Sequence, residues 1–275
     1  MQELGFTSWF SRNMTLENSL RHLSAAKCRQ VEVAAMPEYL ARWKSIRTSL
    51  DSRCMSVSAV SLGVPFYYSD GKLDLHSKSK TVRDGTLRFV RRGIEFASRI
   101  NARLIYACSM TRGTPEERGR TLENLSMLVA DCAAYAERAG VRFGMEPFPT
   151  GELRTISETG VFIDSVGTDN LGMVIDTGHA AITGESMSQS IRSSFGHIVH
   201  VHLNNNDGKR DLHWPPQKGR LMPGDFEEVL RTLRERGYRG NMSVELSRPR
   251  PVVRRVLESR AFVDDIISRL DRPSD

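Results

Sequence analysis

The sequence predicts an α/β protein in which eight strand–helix units close into a single (β/α)8 barrel spanning residues 1–275 and ending in a C-terminal helix. Three observations carry this expectation. Short β-rich runs alternate with longer amphipathic ones along nearly the whole chain, the pattern of a parallel sheet with crossover helices. The count of each approaches eight. Eight such units in about 250 residues is the size of a closed barrel, although a doubly wound open sheet has similar content.

The strands are placed at "LGFT" (4–7), "VEVAA" (31–35), "SVSAVSL" (56–62), "LIYAC" (104–108), "VRFGME" (141–146), "LGMVID" (171–176), "IVHVHL" (198–203) and "MSVEL" (242–246). Between them apolar residues recur at helical spacing, as in Leu87, Val90, Ile94 and Ala97, and again in Leu122, Leu125, Val129, Cys132 and Ala136. Gly140 and Gly237 follow such segments, where a helix end calls for a left-handed backbone, and Ser, Thr or Asn near several helix starts supply caps. No low-complexity stretch or composition break marks a linker.

Composition narrows the function classes. Four widely separated cysteines, Cys28, Cys54, Cys108 and Cys132, suggest neither a zinc knuckle nor a disulfide framework and favour the reducing cytoplasm. The N-terminus lacks a signal-peptide pattern, and no run approaches the ~20 apolar residues of a membrane span. The net charge of +6 admits nucleic acid, a membrane surface or an anionic small molecule as partner. Yet the densest basic runs, "RFVRRG" (88–93) and "RPRPVVRR" (248–255), lack interleaved aromatics and read as solvated faces.

In a barrel, reactive groups belong at the C-terminal strand ends. Glu146 ends the fifth strand, Asp176 the sixth, His202 lies on the seventh and Glu245 closes the eighth. Carboxylates plus an imidazole at four consecutive strand ends form a site for a hard-to-borderline divalent ion. Taken alone, Asp176 reads equally well as the cap of the next helix. Five of the seven histidines, His179, His197, His200, His202 and His213, fall within 35 residues. His200 shares a strand face with His202 and reads as a supporting or packing residue, and His197 as a surface one.

The segments "AERAGVRFGMEP", "NLGMVIDTGHA", "HIVHVHLN" and "SVEL", in this order and spacing, resemble the xylose-isomerase-like TIM-barrel superfamily of sugar isomerases, epimerases, lyases and nucleases. The likeness runs from about residue 3 to 246 and is strongest to ketose 3-epimerases and hydroxypyruvate-isomerase-like members. It implies metal ligands at Glu146, Asp176, His202 and Glu245, a substrate-binding His179, and a second substrate-gripping glutamate at Glu152. The ion implied is manganese first, with magnesium, cobalt or zinc as alternatives. Such epimerases carry an arginine soon after the seventh-strand histidine; here Gly208 stands at that spacing, with Lys209 and Arg210 beside it as substitutes.

A metal chelated by a carbonyl and its neighbouring hydroxyl acidifies the intervening C–H, and Glu146 and Glu245 on different sides of the mouth would trade that proton. Trp9 and Phe10 after the first strand, and Phe66, Tyr67 and Tyr68 after the third, are expected to overhang the mouth against a sugar face. Asp211 and His213 are read as a loop closing over the substrate, with part of a second weak metal site as the lesser alternative. A D-x-H there also occurs in endonuclease-IV-like members, but the second- to fourth-strand loops lack the further histidines that chemistry needs. The expectation is an isomerase or epimerase acting on a sugar, sugar phosphate or polyol-derived ketone, with a dehydratase of a dehydroshikimate- or inosose-like substrate as the alternative. A binding barrel without turnover is a lesser one. Its partner is a small carbohydrate rather than nucleic acid or membrane. The third-strand loop or the arginine-rich last helix offers a face for a homo-oligomer.

Overall fold

Alternation of apolar residues with small or polar ones gives each strand one face for the helices and one for the barrel interior. The computed structural model describes residues 3–110 and 112–272. Its strands are β1 (Gly5–Thr7), β2 (Gln30–Ala34), β3 (Ser56–Ser61), β4 (Leu104–Cys108), β5 (Arg142–Glu146), β6 (Leu171–Asp176), β7 (Ile198–Leu203) and β8 (Asn241–Val244). All neighbours are parallel, and β8 pairs back onto β1, which closes the barrel and removes the open-sheet alternative. Every strand lies within two residues of its expected position.

Helices fill each crossover. They are α1 (Leu16–Ala25), α2 (Pro37–Leu40), α3 (Trp43–Asp51), α4 (Gly63–Tyr67), α5 (Lys80–Arg99), α6 (Arg118–Arg138), α7 (Ile156–Val166), α8 (Thr177–Thr183), α9 (Met187–Ser194), α10 (Pro223–Glu235) and α11 (Val252–Leu270). Thr15, Ser79 and Thr155 cap α1, α5 and α7 by accepting a backbone N–H three residues on. Gly140 and Gly237 have φ of +70° and +80°, as their positions after helices require. Strand residues such as Ile105, Phe143 and Val201 pack against Val90, Ile94, Leu125, Val129 and Leu230 in one continuous core. Burying a side chain of this size contributes roughly 1.5–3 kcal/mol.

The barrel interior is different: Tyr106, Leu104, Ala59 and Val174 form a separate small cluster. Gly144 makes room for it, since a Cβ there would lie 3.1 Å from Tyr106 Cβ and 3.2 Å from Val174 Cγ2.

Two aromatic positions depart from expectation. Phe10 is buried in the core rather than overhanging the mouth, and Phe66 is buried as well, facing Phe89 at a ring separation of 6.5 Å while it helps line a cavity with Leu73 and Cys108. The segment after β3 coils into α4, which turns Phe66 inward and leaves Tyr67 exposed. The basic runs are solvated faces: Arg254 and Arg255 both pair with Glu258, and Arg91 lies over the Tyr135 ring. Among the described residues no helix is long and apolar enough to cross a membrane.

Candidate metal centre and active site

Parallel closure brings the ends of β5 to β8 side by side. Asp176 and His202 are register partners, and Glu245 sits one residue beyond β8, whose Val244 pairs with Leu203. One ligand atom from each of Glu146, Asp176, His202 and Glu245 falls within 4.8 Å of all the others. His202 Nδ1 is the hub, 3.0 Å from Glu146 Oε1, 3.3 Å from Glu245 Oε2 and 3.7 Å from Asp176 Oδ2. All four residues are buried.

Three carboxylates in a buried cluster repel one another and lose hydration, a cost of several kcal/mol per ion unless a cation compensates. Oxygen-rich donors with one imidazole suit a small divalent ion. The residues present therefore fit a metal.

Asp176 caps the next helix and also faces the cluster. Its Oδ1 accepts the His179 N–H at 2.8 Å and caps α8, while Oδ2 faces the cluster and accepts from Asn204 Nδ2. Thr177 Oγ1 and the Asn204 backbone exchange two further hydrogen bonds, at 2.8 and 3.0 Å, that hold the two strand ends together. The approach is close enough that a Cβ on Gly178 would collide with Asn204 Oδ1.

A second group lies on the loop side. Asp211 stands 3.5 Å from His179 Nε2 and 3.3 Å from His213 Nε2, and His213 Nε2 is 3.6 Å from Glu245 Oε2. His179 Nδ1 is fixed by the Pro147 carbonyl at 3.0 Å. Burial opposes charge on all of them. For Asp211 the His213 and His179 rings outweigh it and hold the carboxyl down at about 2. For His179, Asp176 and Asp211 outweigh it and raise the ring well above its ordinary value. Glu245 goes the other way: burial raises its carboxyl against the pull of His213 and His202.

Trp9 reaches the same centre, its Nε1 donating to Glu245 Oε1 at 2.7 Å. Other expected substrate residues lie elsewhere. Glu152 is buried but accepts the Gly113 N–H at 2.5 Å, with Arg118 Nε 3.8 Å from its second oxygen. Arg210 is turned onto Asp207 at 2.8 Å, and Lys209 is exposed. Beside the cluster opens a cavity of about 190 Å³ lined in part by Phe66, Leu73, Cys108, Met110 and Phe148. Phe148 meets the His179 ring edge-on at 5.0 Å.

Sequence reasoning missed Glu32, Tyr106 and Asn204. Glu32 lies fully buried on β2, with Oε1 2.8 Å from His200 Nε2 and Oε2 3.1 Å from both His202 Nε2 and Tyr106 Oη. Burial pushes this carboxyl up, but the His202 and His200 rings prevail and hold it well below its usual range. The signal was a lone charge inside the apolar run "VEVAA".

The chain matches several named relatives over part of its length. It is 28% identical to fructoselysine 3-epimerase of Shigella flexneri over 189 residues, 64% of this chain and 66% of that enzyme. It is 26% identical to inosose isomerase of Halalkalibacterium halodurans over 128 residues, 44% and 45% of the two chains. The chain thus spans less than two thirds of the length of either. The fold superposes on a crystal structure of D-psicose 3-epimerase with D-tagatose from Clostridium cellulolyticum H10 with a TM-score of 0.82, at 16% identity over 97% of this chain and 99% of that one. The xylose isomerase-like TIM barrel family model matches residues 20–266, nearly the whole barrel, and the chain belongs to that family.

Proposed function

We propose that this protein is a divalent-metal-dependent isomerase or epimerase of a sugar or sugar-derived ketone, with Glu146 and Glu245 as its acid–base pair. The observation that carries the reading is the convergence of Glu146, Asp176, His202 and Glu245 within 4.8 Å at the C-terminal mouth. The similarity to fructoselysine 3-epimerase and inosose isomerase supports it. Glu146, Asp176, His202 and Glu245 would hold the ion, with manganese our first choice and magnesium, cobalt or zinc the alternatives. A bound divalent ion supplies electron withdrawal from a carbonyl and its neighbouring hydroxyl, which acidifies the C–H between them.

The chain's own groups move the proton. Glu146 and Glu245 approach from β5 and from the end of β8, so one carboxylate can take a proton from one face of the substrate and the other return one to the opposite face. Trp9 fixes the orientation of the Glu245 carboxylate through Oε1 and leaves Oε2 on the side of His202. His179 Nε2, 3.5 Å from Asp211 and longer than a good hydrogen bond, is placed to receive a substrate hydroxyl. Asp211 and His213 close that side of the mouth, while Glu152, Lys209 and Arg210 would join only after local rearrangement. The partner is a small carbohydrate rather than nucleic acid; we place the protein in the cytoplasm and leave a homo-oligomer as part of the proposal.

The test is proton exchange in D₂O, followed by NMR, with metal-loaded protein and a panel of ketoses, sugar phosphates, inososes and 3-dehydroshikimate. Deuterium next to a carbonyl, with the carbon skeleton intact, is the expected result. Loss of water would assign a lyase instead. No exchange on any substrate, or cleavage of abasic DNA, would remove the reading.

A further inference from the structure

Among the described residues, the interior of the barrel buries one carboxylate outside the metal cluster on the opposite side of His202: Glu32 of β2. Removing a carboxylate from water costs several kcal/mol unless its oxygens are satisfied. Here they are. Oε1 lies 2.8 Å from His200 Nε2, and Oε2 lies 3.1 Å from His202 Nε2 and accepts the Tyr106 hydroxyl at 3.1 Å.

An ionised carboxylate only accepts hydrogen bonds, so the nitrogen facing it must carry the hydrogen. For His200 this leaves Nδ1, which is buried and without a hydrogen-bond partner. As a bare lone pair that atom costs less than it would as an unsatisfied N–H, so the His200 hydrogen sits on Nε2 and anchors Oε1. Oε2 is then committed to His202 and Tyr106. With Nε2 donating to Glu32, Nδ1 is the nitrogen that faces Glu146, Asp176 and Glu245; it too donates to Glu146 Oε1, at 3.0 Å, until a cation takes the place of that hydrogen.

We infer that Glu32 is the positioning residue that holds a His202 hydrogen on Nε2, so that Nδ1 is the nitrogen left to give its lone pair to an ion among Glu146, Asp176 and Glu245; this rests on the metal reading above. A carboxylate behind a histidine also raises the basicity of the nitrogen that ligates. A neutral amide supplies one acceptor but less polarisation, and an apolar side chain supplies neither. Tight binding therefore requires the charge of Glu32 as well as its shape. Glu32→Gln can keep its carbonyl for His202 only by turning its amide to His200 and moving that ring's hydrogen to the unpartnered Nδ1, a cost that still leaves it the milder change. Glu32→Met, of similar volume, removes every acceptor.

The experiment uses Zn²⁺ as a diamagnetic probe with wild type, Glu32→Gln and Glu32→Met. Chelator competition gives the affinity, and long-range ¹H–¹⁵N correlation gives the His202 tautomer in the zinc-loaded wild type. The expected order of affinity is wild type, then Gln, then Met, with the Met variant weaker by about 10- to 100-fold, the span of outer-shell partner removal. The wild-type spectrum should show His202 protonated at Nε2. Equal affinity in all three proteins, or a wild-type His202 protonated at Nδ1, would overturn the role of Glu32. A wild type that takes up no zinc would overturn the metal reading itself. Should Glu32→Met not fold, the wild-type tautomer and the Gln affinity still decide the matter.

Discussion

Trp9 and Glu245 lie at opposite ends of the chain, and the Trp9 indole N–H donates to Glu245 Oε1 at 2.7 Å. Closure of β8 onto β1 makes this contact. It commits one oxygen of Glu245 to the protein and leaves the other, Oε2, on the side of His202 and His213. Trp9→Phe should fold normally and lower the exchange rate about tenfold, since a hydrogen bond to a charged group contributes roughly 1.5–3 kcal/mol, of which ~1.4 kcal/mol is a factor of ten. Exchange kinetics alongside circular dichroism check this, and an unchanged rate would remove Trp9 from the site.

Glu245→Gln keeps the side-chain volume and the Trp9 contact but cannot carry the proton. Removing a positioned acid–base group costs on the order of 10²–10⁴ in rate. The expected outcome is a native-like melting profile with turnover reduced by that amount, measured as deuterium incorporation.

Asp176 offers a separation of roles. Asp176→Ala should lose both the metal and the α8 cap, with the cap alone costing about 1 kcal/mol in metal-free protein. Asp176→Asn should lose most metal affinity but retain the cap, because Asn caps nearly as well and the Asn204 amide can turn its unpartnered oxygen to the new N–H₂. Denaturant melts in a chelator, together with metal content after dialysis, distinguish the two.

The thiols provide a check on packing. Burial pushes Cys28 up to about 11 and Cys132 up to about 12, and raises Cys108 well above the ordinary thiol value, whereas Cys54 is exposed. At pH 8 a disulfide reagent should titrate one thiol in native protein and four in denaturant, and Cys54→Ser should abolish the native reaction.

Glu185 sets a pH dependence remote from the mouth. Its carboxyl accepts the Ile156 N–H at 3.0 Å at the start of α7, and burial raises its proton affinity despite that bond. The native state then holds the proton at a pH where the unfolded chain has released it. Stability from this group therefore increases as pH falls through the raised value and levels off below the unfolded one. Glu185→Gln should keep the acceptor and flatten that rise, as seen in denaturant midpoints between pH 4 and 7.

Much of the fold and part of the site follow from sequence because both depend on short-range periodicity. Alternation along "IVHVHL" and "LGMVID" puts His202 and Asp176 on interior faces at strand ends, and parallel closure in chain order then makes them neighbours without further information. The same rule placed Glu146 and Glu245. What only the tertiary structure decided are partners fixed by loop paths and by opposite strands across the barrel. The turn of the chain after β7 folds Asp211 and His213 against His179 but aims Arg210 at Asp207. Coiling of the segment after β3 buried Phe66 between the core and the cavity instead of leaving it on an overhanging loop. Glu32 meets His200 and His202 from 168 and 170 residues away, a pairing that no local pattern encodes because it exists only once the barrel has closed around it.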